Sequence, residues 1–236
     1  MCFGPVISFT ASAFLFSIGA MIMRNIRARK ELLFAAFPFL FAIQQMLEGF
    51  LWLTLKSGSS HPFLHWFTFG FLMFAYGVWP LLCPLSVYII EHDIERRKLL
   101  RYLILLGIGT SFYLMLSIII NPIHAAVFNC SIRYETYVVG AWLFTATYIA
   151  ATILPYFISS HRSILMFGLP NLFFFIIAYF FYEKAFISVW CFFAATISLA
   201  LYFFLRTLHH QPILPFSQAL REAALKIKLT TRTKFL

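Results

Sequence analysis

Long apolar runs separated by short polar or basic segments dominate the chain. A helix that crosses the hydrocarbon layer needs roughly 20 apolar residues, because each residue adds about 1.5 Å along the axis. The runs are continuous rather than alternating, and they are longer than the roughly 10-residue strands of a membrane β-barrel. The pattern therefore predicts seven transmembrane helices. They cover residues 5–23, 32–55, 63–90, 102–120, 137–157, 164–182 and 185–205.

The composition of the 236-residue chain agrees with this pattern. Hydrophobic residues make up 62%, charged residues 11%, and the mean hydropathy is +0.87. Soluble domains average roughly 45–50% apolar and about 25% charged residues, so a soluble domain is excluded. We expect an all-α polytopic membrane protein with a bundle over residues 1–206 and a basic tail over residues 207–236.

The lysines and arginines are distributed unequally between alternate loops. Of the 18 basic residues, only Lys56, Arg133 and Lys184 fall on one predicted side of the membrane. Basic residues collect on the cytoplasmic side, so we predict a bacterial inner-membrane protein with its N-terminus outside and its C-terminus inside. The first span is expected to remain as an uncleaved anchor. The net charge of +10 follows from this asymmetry, and no nucleic-acid partner is expected.

The tail contains a stretch with helical spacing of apolar residues at 217–229. Its basic residues suit a short amphipathic helix that lies on anionic lipid headgroups. A solvated tail without this role is the alternative. The small size of the chain is compatible with a homo-oligomer in the lipid bilayer.

Two pairs of motifs suggest an internal repeat. Pro38-Phe39-Leu40-Phe41 opens span 2 and Pro170-Asn171-Leu172-Phe173 opens span 6, while Trp66-Phe67 and Trp190-Cys191-Phe192 lie early in spans 3 and 7. Spans 1–3 and 5–7 would then be parallel triplets joined by span 4, as in small carriers with a parallel repeat. All these residue types are common in the chain, so the repeat signal is weak.

Glu48 is the only acidic residue inside a predicted span. Gln44 and Gln45 lie one helical turn deeper and Trp52 one turn shallower, which places the four side chains on one stripe. Polar groups are costly in hydrocarbon, so this stripe is expected to face the bundle interior or a wet cavity. Glu48 is a candidate protonatable group for transport, an acid or base, or a metal ligand. A neutral carboxyl that only bonds neighbouring helices is the alternative.

Span 3 contains the sequence Trp79-Pro80-Leu81-Leu82-Cys83-Pro84. Each proline removes a backbone donor and clashes with the carbonyl one turn earlier, so a kinked or broken helix is expected. Broken helices line the substrate paths of many transporters. A simple packing kink is the alternative.

Metal and disulfide sites are further possibilities. His61 and His65 stand four residues apart at the mouth of span 3, a spacing that allows a transition metal, with Cys2 as a further ligand. Anchoring at the membrane interface is the alternative, and no cofactor is firmly predicted. Cys2 and Cys130 fall on the same predicted side and would pair in an oxidising compartment if they are close.

Common hydrolase, nucleotide and zinc-protease motifs are missing, so no catalytic residue is assigned. Several short strings are more distinctive. They are Met1-Cys2-Phe3, Gln44-Gln45-Met46-Leu47-Glu48-Gly49 with Trp52, Trp79-Pro80, Ser131-Ile132-Arg133-Tyr134 and Ser188-Val189-Trp190-Cys191-Phe192-Phe193-Ala194-Ala195.

Together these strings resemble a family of bacterial multi-pass membrane proteins of unknown function, over most of residues 1–205. Gly4 departs from the serine that usually follows the Met-Cys-Phe opening. The resemblance implies no activity, ligand or fold. It does imply one shared site in the outer leaflet, formed by Cys2, Gln45, Glu48, Trp52 and Cys191.

The sequence favours a small-solute transporter or permease with a buried polar site in span 2. An intramembrane or membrane-surface enzyme that depends on a metal or a cysteine is the first alternative. A non-catalytic sensor or scaffold is the second. The residues expected to bind or couple the solute are Gln44, Gln45, Glu48, Trp52, Trp79, Trp190 and Cys191.

Overall fold

The computed structural model describes residues 4–24, 26, 28–57, 61–128, 131–198 and 201. Cys2, Cys130 and the predicted tail helix lie outside these residues. The described helices are α1 (Pro5–Arg24), α2 (Leu32–Ala35), α3 (Phe37–Ser57), α4 (Leu64–Leu72), α5 (Trp79–Ile90), α6 (Ile94–Ile120), α7 (Ala141–Ile158), α8 (Arg162–Phe181) and α9 (Phe186–Ser198). Single 3₁₀ turns at Arg29–Glu31 and Glu183–Ala185 precede α2 and α9, and a π-helical segment at Met73–Val78 joins α4 to α5.

Six helical segments of the described chain are long and apolar enough to cross a membrane. The prediction of an all-α polytopic membrane protein is therefore confirmed. The seventh predicted span contains α9, of which 13 residues are described. The membrane-capable segments are Pro5–Arg24, Arg29–Ser57, Leu64–Ile90, Ile94–Ile120, Ala141–Ile158 and Arg162–Phe181.

Small residues let α1 pack closely on α3. The buried face of α1 carries Ser8, Ser12 and Gly19, at the three- and four-residue spacing that places side chains on one side of a helix. The Ser12 hydroxyl donates a hydrogen bond of 2.7 Å to the carbonyl of Ala42 in α3. Gly19 lies directly against the Phe39 ring, and a β-carbon added there would lie 2.9 Å from it, so the ring would have to shift. Small residues and interhelical hydrogen bonds are the usual means of helix association in lipid.

A β-hairpin follows α6 where the sequence indicated only a connection between two spans. Its strands β1 (His124–Phe128) and β2 (Ser131–Glu135) pair antiparallel. Ile132 is fully buried among Leu51 and Trp52 of α3, and the ring of Tyr134 stacks on Phe71 with a centroid distance of 4.7 Å. The hairpin therefore covers one end of the bundle, which we call the hairpin end.

The loops between α5 and α6 and between α7 and α8 meet at the opposite end, through hydrogen bonds from Ser160 to Glu91 and from Arg96 to Ser159. We call residues 91–98 and 158–162 the basic end, since they contain four of the chain's arginines and lysines.

The proline-rich part of span 3 is continuous rather than broken. Helical structure runs from Leu64 to Ile90, and the strain is taken up by the π-helical turn just before Trp79 and Pro80. Two neighbouring helices bond the carbonyls of this turn. Tyr148 of α7 donates to the carbonyl of Ala75 at 2.6 Å, and Ser111 of α6 donates to the carbonyl of Gly77 at 2.8 Å. These bonds satisfy polar backbone groups that lipid cannot hydrate.

The fold depends on close contact between α5 and α6 at Gly107. A β-carbon added at Gly107 would lie 2.1 Å from the carbonyl oxygen of Pro80, a backbone atom that cannot swing aside. We expect Gly107→Ala to reduce the free energy of unfolding by about 1–3 kcal/mol, because the helices must separate. The measurement is thermal unfolding in detergent, followed by loss of helical circular dichroism.

Gly109→Ala is the matched control, because a β-carbon at Gly109 of the same helix would meet nothing within 4 Å. It should leave stability unchanged or raise it slightly, since alanine is the better helix former by about 1 kcal/mol. Equal unfolding temperatures for the two variants would contradict the close approach at Gly107.

Candidate functional site

The polar stripe of α3 lies inside the protein. Gln44 and Gln45 are fully buried, and Glu48 and Trp52 each expose 3% of their surface. The stripe faces inward because α1, α4 and α9 all pack against α3. The placement of the four side chains therefore matches the arrangement expected from their spacing.

Two hydrogen bonds connect the stripe to distant parts of the chain. The Ser188 hydroxyl of α9 donates to Oε1 of Glu48 at 2.5 Å. The indole of Trp79 donates to Oε1 of Gln44 at 2.8 Å. Cys191, one turn after Ser188, lies close enough to Gln44 and Glu48 to interact with both. The structure thus brings Gln44, Glu48, Trp79 and Cys191 together from three helices.

Several buried polar atoms of this cluster have no hydrogen-bond partner among the described residues. The side-chain amide of Gln45 lies beside the Glu48 carboxyl without a hydrogen bond of normal geometry. Leaving a buried polar group unpaired costs roughly 1–3 kcal/mol, so such groups call for an explanation. The unpaired atoms in the cluster are Nε2 of Gln44, Nε2 and Oε1 of Gln45, Nε1 of Trp52 and the hydroxyl of Tyr134.

A cavity of about 240 Å³ lies next to this cluster. Tyr76 of the π-helical turn, Tyr148 of α7 and Trp190 of α9 line it, and Val138 and Glu183 place one side of it at the hairpin end. Cys191 lines the same cavity and also contacts the polar cluster, so it forms the wall between the two. We call this cavity the aromatic pocket.

A second cavity of about 30 Å³ lies between Trp79, Cys83, Asn171 and Cys191. The Trp190 indole donates a hydrogen bond of 3.4 Å to Oδ1 of Asn171. Trp79, Trp190 and Cys191 all line this small cavity, so three of the residues expected at the site converge here.

The two histidines expected at a metal site lie apart from this region. Nδ1 of His61 accepts a hydrogen bond of 3.3 Å from the backbone amide of Phe63, and His65 is exposed beside Trp66. Within the described ranges, no three histidine, cysteine or acidic side chains come together in a way that suits a metal ion. Cys2 lies outside those ranges, so a metal site with Cys2 and the disulfide between Cys2 and Cys130 stay predictions. Cys83 and Cys191 are buried free thiols.

Glu91 is another buried carboxyl group, and the sequence predicts for it only an ordinary acid at the end of a span. It exposes only 1% of its surface. Its Oε1 accepts from the backbone amides of His92 and Asp93, each at 2.9 Å, and from the Ser160 hydroxyl at 2.6 Å. Its Oε2 accepts from the Ser160 amide at 2.6 Å. The carboxyl group therefore holds two loops of the basic end together.

Arg96 strengthens the same connection from the other side. One guanidinium nitrogen donates to the carbonyls of Ile158 and Ser159 at 2.8 and 2.7 Å. We call Glu91, Arg96 and Ser160 the basic-end clasp. The only signal for the basic-end clasp in the sequence is the short polar run Ser159-Ser160-His161. In the structure this run pairs with the loop at Glu91.

The electrostatics of the clasp favour a charged Glu91 and a neutral His161. Burial alone raises the pKa of Glu91, but the hydrogen bonds from Ser160, Asp93 and His92 outweigh it and hold that pKa below its ordinary value. Burial lowers the pKa of His161, and the nearby Glu91 carboxylate offsets this only in part.

These features define the class of protein: a polytopic α-helical membrane protein with a buried carboxyl cluster beside an aromatic pocket. The chain belongs to DUF6629, a family of unknown function whose model matches residues 1–213. This confirms the expected membership of an uncharacterised family. No curated protein and no solved structure matches the chain significantly.

The clasp predicts a large effect of Glu91→Gln on stability. The substitution removes the charge that several donors share, and we expect a loss of roughly 2 kcal/mol in the free energy of unfolding. Glu95→Gln is the matched control, because Glu95 forms only an exposed ion pair with Lys98. The comparison is thermal unfolding of both variants in detergent at neutral pH. Similar melting temperatures for the two would show that the clasp contributes little.

We also expect the stability difference between wild type and Glu91→Gln to depend on pH. Because the pKa of Glu91 is lowered in the folded state, its stabilisation is complete above the ordinary value of 4.5. It is lost as the pH falls through the lower folded-state pKa, where both states bind the proton. The melting temperatures of wild type and Glu91→Gln should therefore approach each other as the pH falls below 4.5 and meet once the pH is below the folded-state pKa of Glu91. A difference that persists unchanged at acidic pH would contradict the role of the carboxylate charge.

Proposed function

We propose that this protein is a small-solute transporter of a bacterial inner membrane. The observation that supports this most strongly is the position of the polar cluster. Cys191 lies beside the unpaired amide groups and the Glu48 carboxyl group, and it also lines the aromatic pocket. Buried, incompletely paired polar groups inside a membrane bundle are characteristic of a solute or ion path.

The π-helical turn supports a coupling between pocket and cluster. Tyr76 of this turn lines the aromatic pocket, and Trp79, which directly follows the turn, bonds Gln44. Single π-helical turns within α-helices occur frequently at functional sites. A change in this turn would move the pocket wall and the Gln44 contact together.

The basic-end clasp supports alternating access. The aromatic pocket extends towards the hairpin end, whereas Glu91, Arg96 and Ser160 join the loops at the basic end. We infer a state closed at the basic end, and the clasp must separate for solute to leave there. Carriers of this kind work by moving one part of the bundle against another around a central site.

The proposed orientation places the hairpin end outside and the basic end in the cytoplasm. Its support is the unequal distribution of the 18 basic residues, 15 of which fall on one predicted side. The parallel repeat, the contact of residues 207–236 with anionic headgroups and a homo-oligomeric state remain part of the same proposal. No observation of comparable weight within the described residues favours an enzyme or a scaffold.

The orientation predicts different reactivity of two engineered cysteines. Lys184→Cys at the hairpin end and Lys98→Cys at the basic end, both exposed positions, are placed in a chain whose four native cysteines are replaced by alanine. A maleimide that cannot cross membranes should label the first in intact cells and the second only after lysis. The reverse pattern would invert the proposed topology.

The transporter proposal predicts that Glu48→Gln uncouples uptake from protons. We propose that Glu48 binds a proton on one side of the membrane and releases it on the other in each cycle. In proteoliposomes with a pH gradient, wild type should accumulate one of a radiolabelled panel of amino acids, sugars and choline. Glu48→Gln should lower gradient-driven accumulation by about tenfold or more, while exchange without a gradient continues.

Glu95→Gln serves as the control, since its carboxylate is exposed at the basic end and paired with Lys98. Accumulation should be unaffected by this variant. Transport that survives Glu48→Gln unchanged would exclude the coupling role, and the absence of uptake for the whole panel would contradict the transporter proposal.

A further inference from the structure

Aromatic side chains from four parts of the chain converge on the aromatic pocket. They come from the π-helical turn, α7, α8 and α9. They are Tyr76, Phe144, Tyr148, Tyr179, Phe186 and Trp190. The face of an aromatic ring attracts cations, and aromatic cages are a recurrent means of binding quaternary ammonium groups.

We propose that the aromatic pocket binds a small organic cation of the ammonium class. This inference deepens the proposed function, and rests on it only in naming the bound cation as the transported solute. A cavity of about 240 Å³ is smaller than the usual 300–1,000 Å³ of pockets for drug-sized ligands, so it suits a small solute.

The charge of the pocket wall favours a cation. Glu183 is the only charged residue among those that line the cavity, and no lysine, arginine or histidine of the described chain contributes to the lining. This contrasts with the net charge of +10 for the whole chain. A cleft lined by one sign of charge concentrates ligands of the opposite sign.

The basic residues near the pocket have other contacts. Lys184, next in sequence to Glu183, places its ammonium group 5.2 Å from the centre of the Phe128 ring. Arg133 forms an ion pair of 2.5 Å with Glu135 and also lies over Phe128, at 5.6 Å. Glu183 has no ion pair of this kind among the described residues, so its carboxylate is available at the pocket mouth.

The aromatic wall is held in place before any ligand binds. Trp190 stacks on Phe186 at a centroid distance of 5.4 Å and meets Tyr148 edge to face at 5.5 Å. The Trp190 indole is also bonded to Asn171, and the Tyr148 hydroxyl to the carbonyl of Ala75. Side chains that are already ordered lose little entropy on binding, which favours affinity for a small ligand.

The test compares two ligands of the same shape and different charge. The full-length protein in detergent is titrated with choline and with 3,3-dimethylbutan-1-ol, in which carbon replaces the ammonium nitrogen. Isothermal titration calorimetry measures the dissociation constants. We expect saturable choline binding, with the neutral alcohol weaker on the order of tenfold, the size of a desolvated cation–aromatic contact.

Variants locate the site. Glu183→Gln and Tyr179→Leu change exposed positions of the pocket lining and should weaken choline binding by roughly three- to tenfold, with little effect on the alcohol. Glu95→Gln and Trp142→Leu, at exposed positions outside the pocket lining, are the controls and should bind choline as wild type does. Helical circular dichroism checks that each variant is folded.

The outcomes separate this inference from the transporter proposal. Equal affinity for choline and the alcohol would overturn the inference that the pocket binds a cation. The same conclusion would follow if neither choline nor tetramethylammonium bound, or if both pocket variants left choline binding unaffected. A lipid acyl chain that native mass spectrometry finds retained, and that choline does not displace, would also overturn it. Choline binding without uptake in proteoliposomes would uphold the site and contradict transport. Glu48-dependent uptake of another solute, without choline binding, would uphold transport and contradict the cation site.

Discussion

Backbone carbonyls in hydrocarbon must find donors inside the protein, and the centre of this bundle is organised around that constraint. Pro80 interrupts the bonding of the helix that runs from Leu64 to Ile90, and a π-helical turn results. Tyr148 and Ser111 bond its carbonyls from two other helices. Gly107 lets the Pro80 carbonyl approach. The positions of α5, α6 and α7 therefore all depend on how the carbonyl groups around the π-helical turn and Pro80 are accommodated.

The buried carboxyl groups of Glu91 and Glu48 differ in how completely they are hydrogen-bonded. Glu91 receives hydrogen bonds from two serine groups and from loop amides, which is the pattern of a structural carboxylate. Glu48 receives one from Ser188 and lies beside the unpaired amide of Gln45. A fully bonded carboxylate stabilises one arrangement of loops. A sparsely bonded one is able to exchange partners, which is what a coupling group in a transporter requires.

The functional proposals follow from this difference and from the place of Cys191. This residue lines the aromatic pocket and also lies beside Glu48 and Gln44, so a cation in the pocket and a proton at Glu48 would both lie near it. Charges so close in a low dielectric affect each other strongly. Exchange of a proton for an organic cation is a direct way to use that proximity, and the clasp at Glu91 would keep the basic end closed meanwhile.

The amino-acid sequence by itself determined the membrane class, the all-α fold and the inward-facing stripe of Gln44, Gln45 and Glu48, because hydropathy and helical spacing are local properties of the chain. Contacts between distant segments were decided only in the tertiary structure. The strands His124–Phe128 and Ser131–Glu135 carry no strong strand pattern in the sequence, and in the structure they pair with each other and bury Ile132 against α3. The Glu91 clasp joins residues almost 70 positions apart, and the aromatic side chains of the pocket come from four segments. Local periodicity contains no record of which distant side chain will donate to a buried group, so only the packed bundle identifies those partners.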